Sequence, residues 1–208
     1  MNNKVLKITY LRRKSMKKAM VLAMVLAMAV FFGCAGVEET GSVSKAAVSG
    51  TGDSIVLFNF ESKTTDGWEG KGKWAEALSV NTDPKFVKEG GASLKINAKG
   101  SKGWNQDIAT FSGPFAEGFG KLKAITMDVY VPKESVKGLE YSQIFLVISG
   151  SANSWYQVPQ GLKEGWNSLK YELDSDNIDG DLWHMYFVFN SGGAFAGPVY
   201  IDNVKGIM

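Results

Sequence analysis

The stretch 122-LKAITMDVYVP-132 sets Ile125, Met127, Val129 and Val131 against Thr126, Asp128 and Tyr130, and stops at a proline. Successive side chains of a strand point to opposite faces, so a period of two predicts a strand with one apolar and one polar face. A helix would need its apolar residues three and four positions apart. The same period recurs on both sides of this stretch. In 93-SLKINA-98, Leu94 and Ile96 oppose Ser93, Lys95 and Asn97, and in 183-WHMYFVFN-190, Trp183, Met185, Phe187 and Phe189 oppose His184, Tyr186, Val188 and Asn190. The run 144-IFLVIS-149 is apolar on both faces, as a central strand of a two-layer structure would be. Further strand candidates are 55-IVLFNFE-61, 73-KWAEALSV-80, 106-QDIATF-111, 168-SLKYEL-173 and 198-PVYIDNV-204. Clusters such as 97-NAKGSKG-103 and 174-DSDNIDGD-181 supply turn chemistry between them. No amphipathic helix of ten residues or more is evident. Nine or ten short strands with polar turns predict an all-β fold, an antiparallel β-sandwich.

Ahead of this domain lies a different kind of sequence. Lys4, Lys7, Arg12, Arg13, Lys14, Lys17 and Lys18 precede the fifteen apolar or small residues 19-AMVLAMVLAMAVFFG-33. A spanning helix needs about 20 such residues, so the pattern predicts an export signal over residues 1–33. Met16 begins 16-MKKAMVLAM-24, a signal of more usual length. Cys34 is the only cysteine and sits at the end of the apolar run, so no internal disulfide can form. The run 31-FFGC-34 resembles a bacterial lipobox, in which the cysteine is lipidated; Gly33 fits that pattern, whereas Phe31 and Phe32 depart from it. The expected protein is an exported lipoprotein at the cell surface or in the periplasm, held to a membrane by its lipid alone. Residues 34–53 are small and polar and read as a flexible tether, leaving 54–208 as one sandwich domain.

Charge narrows the function. Seven of the 23 Lys and Arg precede Cys34 and none of the 21 Asp and Glu does, so the remainder carries 16 lysines against 21 acids, a net charge of −5. An acidic domain without arginine lacks the electrostatic footprint for nucleic acid. Paired carboxylates in a cleft, a nucleophile elbow and a phosphate loop are all missing from the motifs, so no enzyme is expected.

Read in order, 57-LFNFES-62, 66-DGW-68, 88-KEGGASLKINA-98, 125-ITMDVYVP-132, 162-LKEGWNSLKYEL-173 and 197-GPVYIDNV-204 resemble the galactose-binding-like carbohydrate-binding modules. These jelly rolls are attached to mannanases and other β-glycan hydrolases, and the resemblance spans residues 54–204. It implies non-catalytic binding of a polysaccharide, with β-mannan or β-glucan favoured, by a protein expected to be monomeric. It also implies a structural calcium ion, with Glu61 and Asp202 matching the acidic ligands. The residue chemistry points the same way, because hard oxygen ligands are what the chain can supply and they suit calcium. The 174–181 run lacks the distal glutamate of an EF-hand loop and reads as a solvated turn. The alternative reading is a structural or assembly lipoprotein of the envelope that uses the sandwich to hold a protein partner.

A sugar binder needs exposed rings for C–H faces and planar polar groups for hydroxyls. Of the six tryptophans, the resemblance implies that Trp68 is the packing tryptophan near the first strand and that Trp166 is structural at the start of a closing strand. Trp183 shares the apolar face of its strand and reads as core. Trp74 and Trp104 lie among lysines, glycines and amides, and Trp155 and Tyr156 with Gln157 follow a Gly-Ser-Ala-Asn turn. Each is either a ligand-stacking ring or a loop aromatic folded over the sandwich edge. His184 and Tyr186 share the polar face of one strand, and Asp128 and Tyr130 the polar face of another. These nine residues are the expected carbohydrate-binding set: Trp74, Trp104, Asp128, Tyr130, Trp155, Tyr156, Gln157, His184 and Tyr186.

Overall fold

The computed structural model describes residues 54–70, 77–100, 102–115, 118–150, 154–156, 158–174 and 182–208, without the side chains of 104–108, 154–156 and 183. Twelve strands run through these residues. They are β1 (Ser54–Phe58), β2 (Trp68–Gly70), β3 (Leu78–Asn81), β4 (Ser93–Lys99), β5 (Gly103–Phe111) and β6 (Ala124–Val131). The second half contains β7 (Ser142–Gly150), β8 (Ser154–Tyr156), β9 (Gln160–Gly161), β10 (Gly165–Glu172), β11 (Leu182–Ser191) and β12 (Ala196–Ile207). Helix among the described residues is limited to short turns, Pro84–Phe86, Phe119–Lys121 and Lys133–Val136.

The strands form two antiparallel sheets. The first has the order β10-β6-β12-β4-β3 with β1 beside β12, and the second has β2-β5-β11-β7-β8 with β9 beside β7. This is the antiparallel β-sandwich that the period of two predicts. Ile125, Met127, Val129 and Val131 of β6 enter the core with Leu94, Ile96, Val199 and Ile201. Ile144, Leu146, Ile148, Met185, Phe187 and Phe189 meet them from the second sheet. Trp68, 1% exposed, stacks on Phe187 with ring centroids 4.3 Å apart. The buried Tyr171 ties the layers together, donating its hydroxyl to the Ile144 carbonyl at 3.0 Å.

β7 is indeed buried on both faces and paired on both sides. Its second face has its own packing: Phe145 and Val147 join Val188 of β11 in a buried cluster separate from the main core, with Tyr186 against it. Irregular register shapes both sheets. β5 slips against β11 on either side of Val188, and β12 slips against β6 between Asp202 and Lys205. Asn203, within that second irregularity, has φ of 55°. An extra residue of this kind bends the strand and re-aims a side chain.

Candidate functional site

The outer face of the second sheet is built from alternate residues of β7 and β11. His184 and Tyr186 stack along β11 with centroids 5.7 Å and planes 13° apart. Cross-strand pairing places Ser149 opposite His184, Val147 opposite Tyr186, Phe145 opposite Val188 and Gln143 opposite Asn190. Thr110 of β5 lies opposite Tyr186 on the other side. The face therefore has an apolar centre, a stacked ring pair at one end and an amide pair at the other. Asn190 Nδ2 donates to Gln143 Oε1 at 3.0 Å. Asn190 Oδ1 and Thr110 Oγ1 are buried without a hydrogen-bond partner among the described residues. Buried polar atoms are nearly always paired in folded proteins, so two orphans on one face suit a ligand rich in hydroxyls.

By register, the backbone of Tyr156 lies opposite Val147, Trp155 opposite Ile148, and Trp104 opposite Asn190. These positions belong to the same sheet as His184 and Tyr186, although their side chains lie outside the described residues. Trp74, Gln157, Cys34 and the 175–181 turn lie outside them as well, as does the Trp183 side chain. Gln143, Thr110 and Asn190 were not in the predicted set. The signal for this face was the doubly apolar 144–149 run, whose second face forms its floor.

Asp128 and Tyr130 stand apart from the other expected residues. They lie on β6 in the first sheet, so they face away from His184 and Tyr186 and cannot share one groove with them. Asp128 is also not free to meet a sugar, being 7% exposed. Its Oδ1 accepts from the Ser168 hydroxyl and its Oδ2 from Asn203 Nδ2 at 2.9 Å. The bulge in β12 swings Asn203 over to make that bond. Trp166 stands on the same outer face, half-buried and edge-on to Tyr130 at 5.3 Å.

The two expected calcium ligands converge on one loop. Glu61 lies in a turn that begins at the buried Phe60, whose φ is 60° and whose N–H donates to Asp66 Oδ2 at 2.8 Å. Glu61 Oε1 accepts from the N–H groups of Gly91 and Ala92 at 2.9 and 3.1 Å, and Oε2 from Gly91 at 3.0 Å. Asp202, 1% exposed, accepts at Oδ2 from Lys88 and Glu89 N–H and at Oδ1 from Asn203 N–H. Burial raises the Asp202 pKa above the usual carboxylate range; the three N–H bonds oppose the rise and the Glu61 charge adds to it. No lysine forms an ion pair with either carboxylate among the described residues. The donor set is thin, since no group of three or more His, Cys, Asp or Glu is found among the described residues. Carbonyl oxygens would have to complete a calcium shell of six to eight ligands.

No protein-family model matches the chain, and no curated protein matches it in sequence. Its fold does match solved structures of carbohydrate-binding modules. CBM27-1 of Caldicellulosiruptor saccharolyticus, solved with mannohexaose, superposes with a TM-score of 0.53 at 17% identity, covering 74% of this chain and 97% of that one. TmCBM27, described for specific mannan recognition, gives 0.51 at 17% identity over 74% and 97% of the two chains. A CBM28 specific for non-crystalline cellulose gives 0.50 at 20% identity over 71% and 91%. At such identities the likeness concerns the fold, which is that of the β-sandwich carbohydrate-binding modules.

Proposed function

We propose that this protein is a non-catalytic polysaccharide-binding module whose ligand lies across the outer face of the second sheet. The observation that carries the reading is the juxtaposition on that face of the His184–Tyr186 ring stack with the orphaned polar atoms of Thr110 and Asn190. Rings supply contact area with few rotors to immobilise, and the orphans supply partners for hydroxyls. Of the three solved modules named above, one carries mannohexaose, one is described for specific mannan recognition and one for non-crystalline cellulose, which favours a β-mannan or β-glucan. An envelope protein that grips another protein would call for a broad exposed apolar patch. Among the described residues the large exposed apolar side chains are Tyr141, Val158 and Met208. Affinity electrophoresis of the full chain through gels containing β-mannan, β-glucan or no polysaccharide tests the reading. Retardation by at least one of the two glycans is expected, and equal mobility in all three gels overturns it.

Two further parts of the reading come from sequence. Cys34 is a lipid attachment site, because it ends an apolar run behind a basic segment. Cys34→Ala should therefore move the protein from the membrane fraction to the soluble exported fraction, and unchanged partitioning would refute the anchor. Glu61 and Asp202 hold a structural calcium ion, which would supply the positive charge that two neighbouring carboxylates lack.

A further inference from the structure

The first sheet carries an aromatic row of its own. Cross-strand register aligns Trp166 of β10, Tyr130 of β6, Tyr200 of β12 and Lys95 of β4 side by side on the outer face. The segment from Asp83 folds over this row, and Phe86 stacks on Tyr200 with centroids 4.2 Å and planes 7° apart. Tyr200 is thereby covered at 5% exposed, while Trp166, Tyr130 and Phe86 stay half-buried. Three ammonium groups surround the rings. Lys85 Nζ lies 5.1 Å from the Phe86 centroid, Lys88 Nζ 5.5 Å from Trp166 and Lys95 Nζ 6.0 Å from Tyr200. The ion pairs among the described residues involve Lys102, Lys170 and Lys205, and none of these three.

Acids lie among these cations: Asp83 and Glu89 belong to the same segment, and Glu89 is taken up by Lys205 at 3.0 Å. Of the acids beside the Tyr200 hydroxyl, Asp83 is committed to capping its own turn, accepting the Lys85 N–H at 3.0 Å, and Glu134 sits on the helical turn beyond. Cation–π contact with a solvated lysine is weak, so the lysines can leave the rings for a stronger anionic partner. We propose that this face is a second binding surface, which takes an acidic polysaccharide. Sugar rings lie against Trp166 and Tyr130 while uronate carboxylates meet Lys85, Lys88 and Lys95. The inference does not depend on the ligand face of the second sheet.

The test is affinity electrophoresis of the full chain through gels containing polygalacturonate, neutral β-mannan, a single-stranded oligonucleotide or nothing. Polygalacturonate should retard the protein, and raised salt should weaken the effect. The double substitution Lys85→Ala/Lys88→Ala should lower the affinity about tenfold, as loss of exposed charge complementarity does. It alters only exposed side chains and should melt like the parent. Tyr186→Ala should leave this retardation unchanged whatever it does to mannan retention. Absence of retardation by polygalacturonate, indifference to the lysine substitutions, equal loss in Tyr186→Ala, or equal retardation by the oligonucleotide would each overturn the proposal.

Discussion

Tyr186 and Trp68 are both aromatic residues of the second sheet, and they stand on opposite sides of it. Trp68 is closed into the core by Phe187, Phe58 and Phe111. Tyr186 lies on the outer face, half-buried against His184 and the Phe145–Val147–Val188 cluster. Truncating a core tryptophan removes packing that cannot be refilled, so Trp68→Ala should lose about 3–5 kcal/mol of stability in urea. Tyr186→Ala should instead weaken glycan retention by about 1–3 kcal/mol, the scale of an interface hot spot, and barely move the urea midpoint. An unfolded Tyr186→Ala would mean that its ring is packing and not a ligand contact. Local alternation made the His184/Tyr186 face legible in sequence, whereas the core position of Trp68 came from the resemblance to the carbohydrate-binding modules. It could not say that Asp128 and Tyr130 belong to the other sheet. The period of two tells which residues of one strand share a face, but sheet membership is decided by partners distant in sequence, here Ser168 and Asn203 for Asp128. Alternation also gave no warning that Asp128 is buried, because that follows from a bulge in β12.

Among the elements, the loop between the Pro84–Phe86 turn and β4 depends most on residue chemistry that cannot be exchanged. Its Gly90 has φ of 75°, a conformation unfavourable for L side chains, and an added Cβ would drive into the Glu61 carboxylate. The carboxylate cannot retreat without giving up the N–H groups of Gly91 and Ala92. Gly90→Ala combines backbone strain with a lost anion clasp and should lose about 2 kcal/mol or more, read from the urea midpoint. Gly120→Ala is the control, since a Cβ there meets nothing within 4 Å and the backbone is not left-handed; it should change little. The strands with strong alternation, β4, β6 and β11, were legible in sequence. β2, β8 and β9 were not, being two or three residues long and defined by their pairing with β5 and β7. The doubly apolar run of β7 marks it as a strand, and a central position accounts for one cause of its second apolar face. A strand can be apolar outward because a ligand floor needs it, and composition does not separate the two causes.

Two devices hold the sandwich together beyond its core, and each has a distinct signature. The first is the Tyr171 phenol between the layers, whose pKa burial pushes far above its usual value near 10. Below that value the phenol is neutral in folded and unfolded chains alike, and its contribution is complete. Above about pH 10 the unfolded chain ionises while the folded one does not, so stability falls as pH rises. Tyr171→Phe should flatten that alkaline loss in urea titrations while costing about 1 kcal/mol at neutral pH for the hydroxyl bond to Ile144. An unchanged alkaline slope would assign the loss to other groups, such as Tyr200, whose pKa burial also raises. The second device joins the chain's early and late strands, because Glu61 follows β1, Asp202 lies in β12, and both bind the backbone of residues 88–92. An ion bound there exists only in the folded state and stabilises by mass action, about 2.7 kcal/mol at a concentration one hundred times its Kd. Excess calcium should therefore raise the melting temperature of the full chain above that in chelator. Glu61→Gln keeps an oxygen acceptor for the loop amides but removes the charge, so it should abolish the calcium response. Equal melting in calcium and in chelator would leave the N–H groups of residues 88, 89, 91 and 92 as sufficient partners for the two carboxylates, and the calcium assignment would fall.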